Sequence, residues 1–152
     1  MTTSFASLLA ALVGADVRFA VAGGVACVLH GHVRATEDID VLIDPDPANV
    51  ARLLHVLGCW GEGWARELTV ADFPVEPGAV RIIEEFALDV FTEMSGLTWS
   101  TAHDHVLWWQ SGDLRVPHLD LATLVATKQH SLRPKDQEDV RVLQALAAAA
   151  RT

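Results

Sequence analysis

Cysteine is scarce in this chain of 152 residues: Cys27 and Cys59 are the only two. Each stands in apolar sequence with no C-x-x-C, which excludes a disulfide framework or a cysteine zinc site and predicts buried, reduced thiols. Positive charge is also short. Eleven Lys and Arg face twenty Asp and Glu, for a formal net charge of −9. A broad electrostatic grip on nucleic acid needs many cations against the phosphates, so only a local basic patch could serve that purpose. Long hydrophobic runs are missing as well. The N-terminal MTTSFASLLAALVGADVRF has no basic segment ahead of its apolar run, and the run is too short to cross a bilayer. A cytoplasmic protein without membrane attachment is expected. Hydrophobic residues make up 51% of the chain, which excludes extended disorder. The length predicts one domain over 1–152, with room for a real core and none for a second unit.

What is present concentrates between Phe19 and Ile43, FAVAGGVACVLHGHVRATEDIDVLI. A buried strand (Phe19–Ala22), a Gly23-Gly24 turn and a short helix lead through Arg34-Ala35-Thr36 into a second strand that begins Asp38-Ile39-Asp40. Side chains alternate across a strand, so Asp38 and Asp40 share one face while Ile39, Val41 and Ile43 enter the core. Two carboxylates on one face repel unless a cation sits between them. The same alternation also suits a half-buried strand with a solvated face. Gly23-Gly24, opening a helix after an apolar strand, can turn free N–H groups toward an anion such as phosphate, or can be a plain tight turn. Side by side, an anion site and an Asp-x-Asp cation site are what a nucleoside triphosphate with Mg²⁺ requires.

Gly23-Gly24, His30-Gly31, Arg34, Thr36 and Asp38-Ile39-Asp40 together resemble the signature of the polymerase-β-like nucleotidyltransferases. The likeness is to the minimal prokaryotic branch that includes toxins of toxin–antitoxin and abortive-infection systems. This resemblance implies an α+β fold in two layers, a mixed β-sheet with helices packed on it. It implies NTP as substrate, one or two Mg²⁺ ions on Asp38 and Asp40, and a third carboxylate on a neighbouring strand.

Downstream, Phe86-Ala87-Leu88-Asp89-Val90-Phe91 has one charge in an apolar strand. A carboxylate there is costly unless it is paired or bound to a cation. Asp89 matches the family's third carboxylate, with a salt-bridged structural Asp as the alternative. The stretch 79–93 reads as strand, with at most a short interruption near Glu84-Glu85. Thr3–Val13 and the segment from Pro47 to Gly58 have apolar residues at helical spacing, and His55 falls on the surface of the latter. The Gly- and Pro-punctuated segment 60–78 suits a substrate-facing lid or merely a long connection. His103 and His105 make a weak zinc pattern without a partner of evident spacing. A strand over 105–109 and a return over 114–116 flank the Ser111-Gly112-Asp113 turn. Of Trp108 and Trp109, which point to opposite faces, one is expected in the core and the other is free to stack on a base.

A C-terminal helical segment is expected at about 119–150, broken at Pro134. Its alanine-rich end could cap the core or meet a second subunit. Lys128, Arg133 and Lys135 form a basic cluster. Charges at helix ends are commonly solvated and favourable to the helix dipole. Lys128 followed by Arg133-Pro134-Lys135-Asp136 and Asp139 also resembles the closing segment of the small nucleotidyltransferases, which implies Lys128 and Arg133 facing nucleotide phosphates.

The expected activity is transfer of a nucleoside monophosphate from an NTP to a hydroxyl on an RNA end, a protein or a small molecule. Asp38, Asp40 and Asp89 are the candidate catalytic and metal-binding residues; Gly23, Gly24, Arg34, Thr36, Lys128 and Arg133 are the candidate nucleotide-binding ones. With no separate acceptor domain, the acceptor site has to come from loops, a homodimer or a partner protein. The alternative is a nucleotidyltransferase-fold interaction module with little catalysis, acting with a partner protein.

Overall fold

The computed structural model describes residues 3–151. Eight strands form in it: β1 (Phe19–Ala22), β2 (Asp38–Ile43), β3 (Ala79–Ile83), β4 (Ala87–Phe91), β5 (Glu93–Met94), β6 (Leu97–Thr98), β7 (Val106–Ser111) and β8 (Leu114–Leu119). The helices are α1 (Thr3–Gly14), α2 (Gly23–Leu29), α3 (Pro47–Gly58), α4 (Trp99–Ala102), α5 (Leu121–Lys128) and α6 (Pro134–Ala150). Six strands make one mixed sheet in the order β3-β4-β2-β1-β8-β7, and β5 pairs with β6 apart from it. Strands β1 and β2 are antiparallel, while β2 runs parallel to β4 and β1 parallel to β8. The fold is thus α+β with a six-stranded mixed sheet.

The β-branched and leucine positions of the central strands build the core. Phe19 and Val21, Ile39, Val41 and Ile43, and Leu88 and Val90 are all buried. Helices α1 and α3 pack together, closing over the core with Leu9, Leu12, Leu53 and Leu57. Helix α5 packs against both α2 and α6, contributing Leu124 opposite Leu143 of α6 to the same core. Burying such side chains is worth roughly 1.5–3 kcal/mol each and is the main drive to this arrangement. Among the described residues, no helix is long and apolar enough to cross a membrane.

Several boundaries differ from the sequence expectation. The interruption at 84–86 is a hairpin turn, so 79–93 is not one strand. Its two arms pair antiparallel with Arg81 opposite Asp89. Strand β8 runs on to Leu119, and α5 starts only after Asp120, whose carboxylate accepts the Thr123 amide at 2.8 Å and caps the helix. The segment 60–78 is anchored rather than open. It forms two 3₁₀ turns on α3 and β3, with Ala65 and Phe73 buried. The Glu84 carboxylate accepts the amides of Glu62 and Trp64 at 2.8 and 2.9 Å. Cys27 is buried, but Cys59 at the end of α3 is exposed. Trp109 packs on the core, and the half-exposed Trp108 has the Arg115 guanidinium 4.4 Å above its ring.

Candidate functional site

The carboxylates meet because of strand register. Asp40 on β2 is the direct partner of Asp89 on the parallel β4, and Asp38 is the partner of Ala87 on the same face. Asp40 and Asp89 therefore stand at facing positions of neighbouring strands, where two like charges disfavour each other's ionisation. Burial pushes Asp40 up to about 6, and the charge of Asp89 adds to the rise. Asp89 is also raised, first by burial, against the opposing pull of Arg81. That arginine reaches across from β3. Its Nη1 lies 3.3 Å from Asp89 Oδ2 and its Nη2 3.4 Å from Asp38 Oδ2. Among the described residues, no three acidic, His or Cys side chains are gathered closely enough to hold a metal as they stand. His103 and His105 are engaged by the neighbouring acids Asp104 and Asp120.

The two glycines lie beneath this group for steric reasons. Gly23 opens α2 with φ +59°, and a Cβ on it would collide with the Asp40 carboxylate. A Cβ on Gly24 would come within 2.8 Å of Arg34 Nη2 and 2.9 Å of Thr36 Oγ1. Ala22 supplies no side-chain cap to α2, so no capping side chain at that position occupies the amides of its first turn. Thr36 donates to the Asp38 carbonyl at 3.1 Å and fixes the loop to the start of β2.

Beside the acids lies a polar cleft of about 230 Å³ lined by Gly24, Arg34, Thr36, Asp38, Asp40, Lys128, Arg133 and Lys135, with Glu37 and Asp136. Seven of the nine candidate site residues named from the sequence or implied by the resemblance therefore face one cavity; Gly23 and Asp89 sit behind it, against Asp40. The basic residues differ in freedom. Arg133 and Lys135 are exposed. Lys128 is only 7% exposed, and its ammonium is held by Asp136 at 3.0 Å and Asp139 at 2.9 Å. Arg34 turns the same way, with Nε and Nη2 each 2.9 Å from the Asp139 carboxylate, and His32 Nε2 is 3.2 Å from it.

Asp139 is fully buried. Burial alone would raise it, but the Lys128 ammonium and the Arg34 guanidinium outweigh that and hold it below the usual carboxylate range. Burial likewise works against the charge on Lys128, yet its two carboxylate partners keep it above the ordinary lysine value. Asp139 is the structural key of the basic wall, and Arg81 that of the acidic one. Neither carries a strong signal in the sequence. Arg81 can be found only by counting back through the 84–86 hairpin. Asp139 can be found as the i+3 neighbour of Asp136 on the face of α6 that meets α5.

No family model matches the chain, and no curated protein matches it. Among solved structures it is similar to the lincosamide antibiotic adenylyltransferase LnuA in its lincomycin-bound crystal form. The TM-score is 0.65 at 16% identity, over 96% of this chain and 98% of that one. A likeness at this identity is a likeness of fold. The mixed sheet and its flanking helices are thus the fold that this chain shares with that adenylyltransferase.

Proposed function

We propose that this chain is a metal-dependent nucleotidyltransferase that moves a nucleoside monophosphate from an NTP to a hydroxyl acceptor. One observation carries the reading: Asp38 and Asp40 line a polar cleft that also contains Arg34, Lys128 and Arg133, with Asp89 of the paired strand directly behind Asp40. The fold shared with an adenylyltransferase supports the reaction class. LnuA is an antibiotic adenylyltransferase, which favours a small molecule as acceptor here. The competing acceptors are an RNA end and a protein hydroxyl, as for a toxin of a toxin–antitoxin pair. The net charge of −9 weighs against RNA.

The residues fit a hard divalent cation. Their donors are carboxylate oxygens, the set that Mg²⁺ prefers. Positive charge beside them is already supplied by the Arg81 guanidinium. Asp38, Asp40 and Asp89 would hold one or two Mg²⁺ ions, whose chemistry is to neutralise the triphosphate and to stabilise attacking and leaving oxygens. The chain's own groups do the rest. The amides of Gly23 and Gly24 would bind the β- and γ-phosphate oxygens, and Arg34, Lys128 and Arg133 would offset their charge. Where Asp89 does not hold a second ion, its carboxylate oxygen would take the acceptor hydroxyl's proton. The acceptor oxygen would bond to the α-phosphorus as the bond to the bridging oxygen breaks and pyrophosphate leaves. Most of the catalysis is positioning and electrostatics.

Calorimetric titration of ATP, GTP, CTP and UTP with Mg²⁺ into wild type and Asp38→Ala/Asp40→Ala tests the reading. Metal-dependent binding that is lost in the double variant supports it and names the base. A second reading rests on the internal ion pairs, which leave Asp38, Asp89, Arg34 and Lys128 already partnered. Such a site suits an interaction module that works with a partner protein. Absence of nucleotide binding by folded wild type would favour that alternative.

A further inference from the structure

We propose that Arg81 is the built-in counter-ion of the carboxylate group, occupying the cation's place between Asp38 and Asp89 and giving way when a divalent cation binds. The inference rests on the reading of Asp38, Asp40 and Asp89 as metal ligands. It goes beyond that reading by giving the site a resident competitor.

Three observations carry it. First, Arg81 spans two of the three acids with separate nitrogens, Nη1 to Asp89 Oδ2 and Nη2 to Asp38 Oδ2. Among the described residues, no other Lys or Arg is ion-paired with either acid. A carboxylate such as Asp89, 8% exposed, is costly to keep charged without a positive partner. Without Arg81 it would stand beside Asp38 and Asp40 with no cationic side chain paired to it.

Second, the pairing is loose. Its contacts of 3.3 and 3.4 Å are longer than the roughly 2.7–2.9 Å of a firm charge-assisted bond. The contrast lies within the same molecule: Asp139 holds Arg34 and Lys128 at 2.9 Å in full burial. The basic wall is fastened, whereas the clamp on the acids can release.

Third, Arg81 has somewhere to go. Strand β3 is the edge of the sheet, and the Arg81 side chain is 51% exposed. A cation entering between Asp38 and Asp89 would send the guanidinium into solvent without breaking core packing. The predicted consequence is a weakened affinity for the bare cation.

The test is a titration of Mn²⁺, without nucleotide, into wild type, Arg81→Gln and Arg81→Lys, following free Mn²⁺ by electron paramagnetic resonance. Lysine keeps the charge but lacks the fork that spans both acids. Displacement predicts that both variants bind Mn²⁺ more tightly than wild type, by about five- to tenfold for the loss of one exposed and one part-buried ion pair. Equal or weaker binding by both variants overturns the proposal and leaves the metal site standing. Tighter binding by Arg81→Gln alone reduces Arg81 to a background charge and also overturns it. If no protein binds Mn²⁺, the carboxylates are not metal ligands and the proposal falls with that reading. Melting curves in chelator show whether each variant is folded, and the half-exposed edge position favours folding in both.

Discussion

Asp40 of β2 and Asp89 of β4 are direct register partners in a parallel strand pair, with their carboxyl groups on the same face of the sheet. A sheet that places two acids side by side in low-dielectric surroundings disfavours their ionisation, and the cost appears in the pH dependence of folding. A group whose folded pKa is raised contributes stability that is fully present below its unfolded value and is lost as pH rises through the folded value. For Asp40 that window runs from the ordinary 3.8 up to about 6.

In chelator, Asp40→Asn should therefore be more stable than wild type at pH 7.5, by at most about 3 kcal/mol. The difference should shrink as pH falls below 6 and vanish near 4. Denaturant unfolding across this range measures it. A difference that is flat with pH would mean that Asp40 is not strained in its charged form. Saturating Mg²⁺ should narrow the difference by stabilising wild type alone.

Asp139 should behave in the opposite way. Its lowered value makes it a contributor above 3.8 whose stabilisation fades only as pH drops through its lower folded pKa. Asp139→Ala leaves Arg34 and Lys128 without their shared buried partner and should cost about 3–5 kcal/mol. Chemical denaturation at pH 7 checks this; a loss under 1 kcal/mol would show that Asp136 alone satisfies the basic wall.

Gly23→Ala should damage site and fold together. The left-handed φ of +59° costs a non-glycine residue about 1–2 kcal/mol, and the added methyl must displace the Asp40 carboxylate. The expected outcome is a lower melting temperature together with loss of Mg²⁺–nucleotide binding by calorimetry. Retention of full binding would separate Gly23 from the site.

Arg133→Gln should affect the site alone. The residue is exposed at the entrance to α6, so stability should stay within about 0.5 kcal/mol. Affinity for Mg²⁺–nucleotide should fall about tenfold if the guanidinium meets a phosphate. Titration at two salt concentrations reads both the loss and its electrostatic origin.

Local pattern was enough for the acidic half of the site. Alternation in Asp38-Ile39-Asp40-Val41 assigns a face to each side chain without tertiary information, and a lone acid among Phe86, Leu88 and Val90 is conspicuous by its desolvation cost. That Gly23 and Gly24 cannot carry a Cβ follows from a close approach that only the packed fold contains. The partners of Lys128 were less legible, because an i+3 pair of acids on α6 looks solvated until α5 is packed against it. Segment 60–78 suits a lid and a plain connection equally in sequence because its glycines and prolines are local, whereas the Glu84 carboxylate that ties it down comes from beyond it in the chain. Cys59 looked buried from its apolar neighbours, but it falls just past the end of α3, where the chain leaves the core.

The ion pairs of the basic wall have a consequence for what can enter. Lys128 and Arg34 have their charge largely cancelled by Asp136 and Asp139 before any ligand arrives, and the acids opposite repel a bare polyanion. A free triphosphate would meet little net attraction in such a cleft. A triphosphate already complexed with its divalent ion would bring its own compensation. Under the proposed function, such a cleft would admit the salt in preference to the anion, and magnesium would act as an admission requirement before it acts in any chemistry.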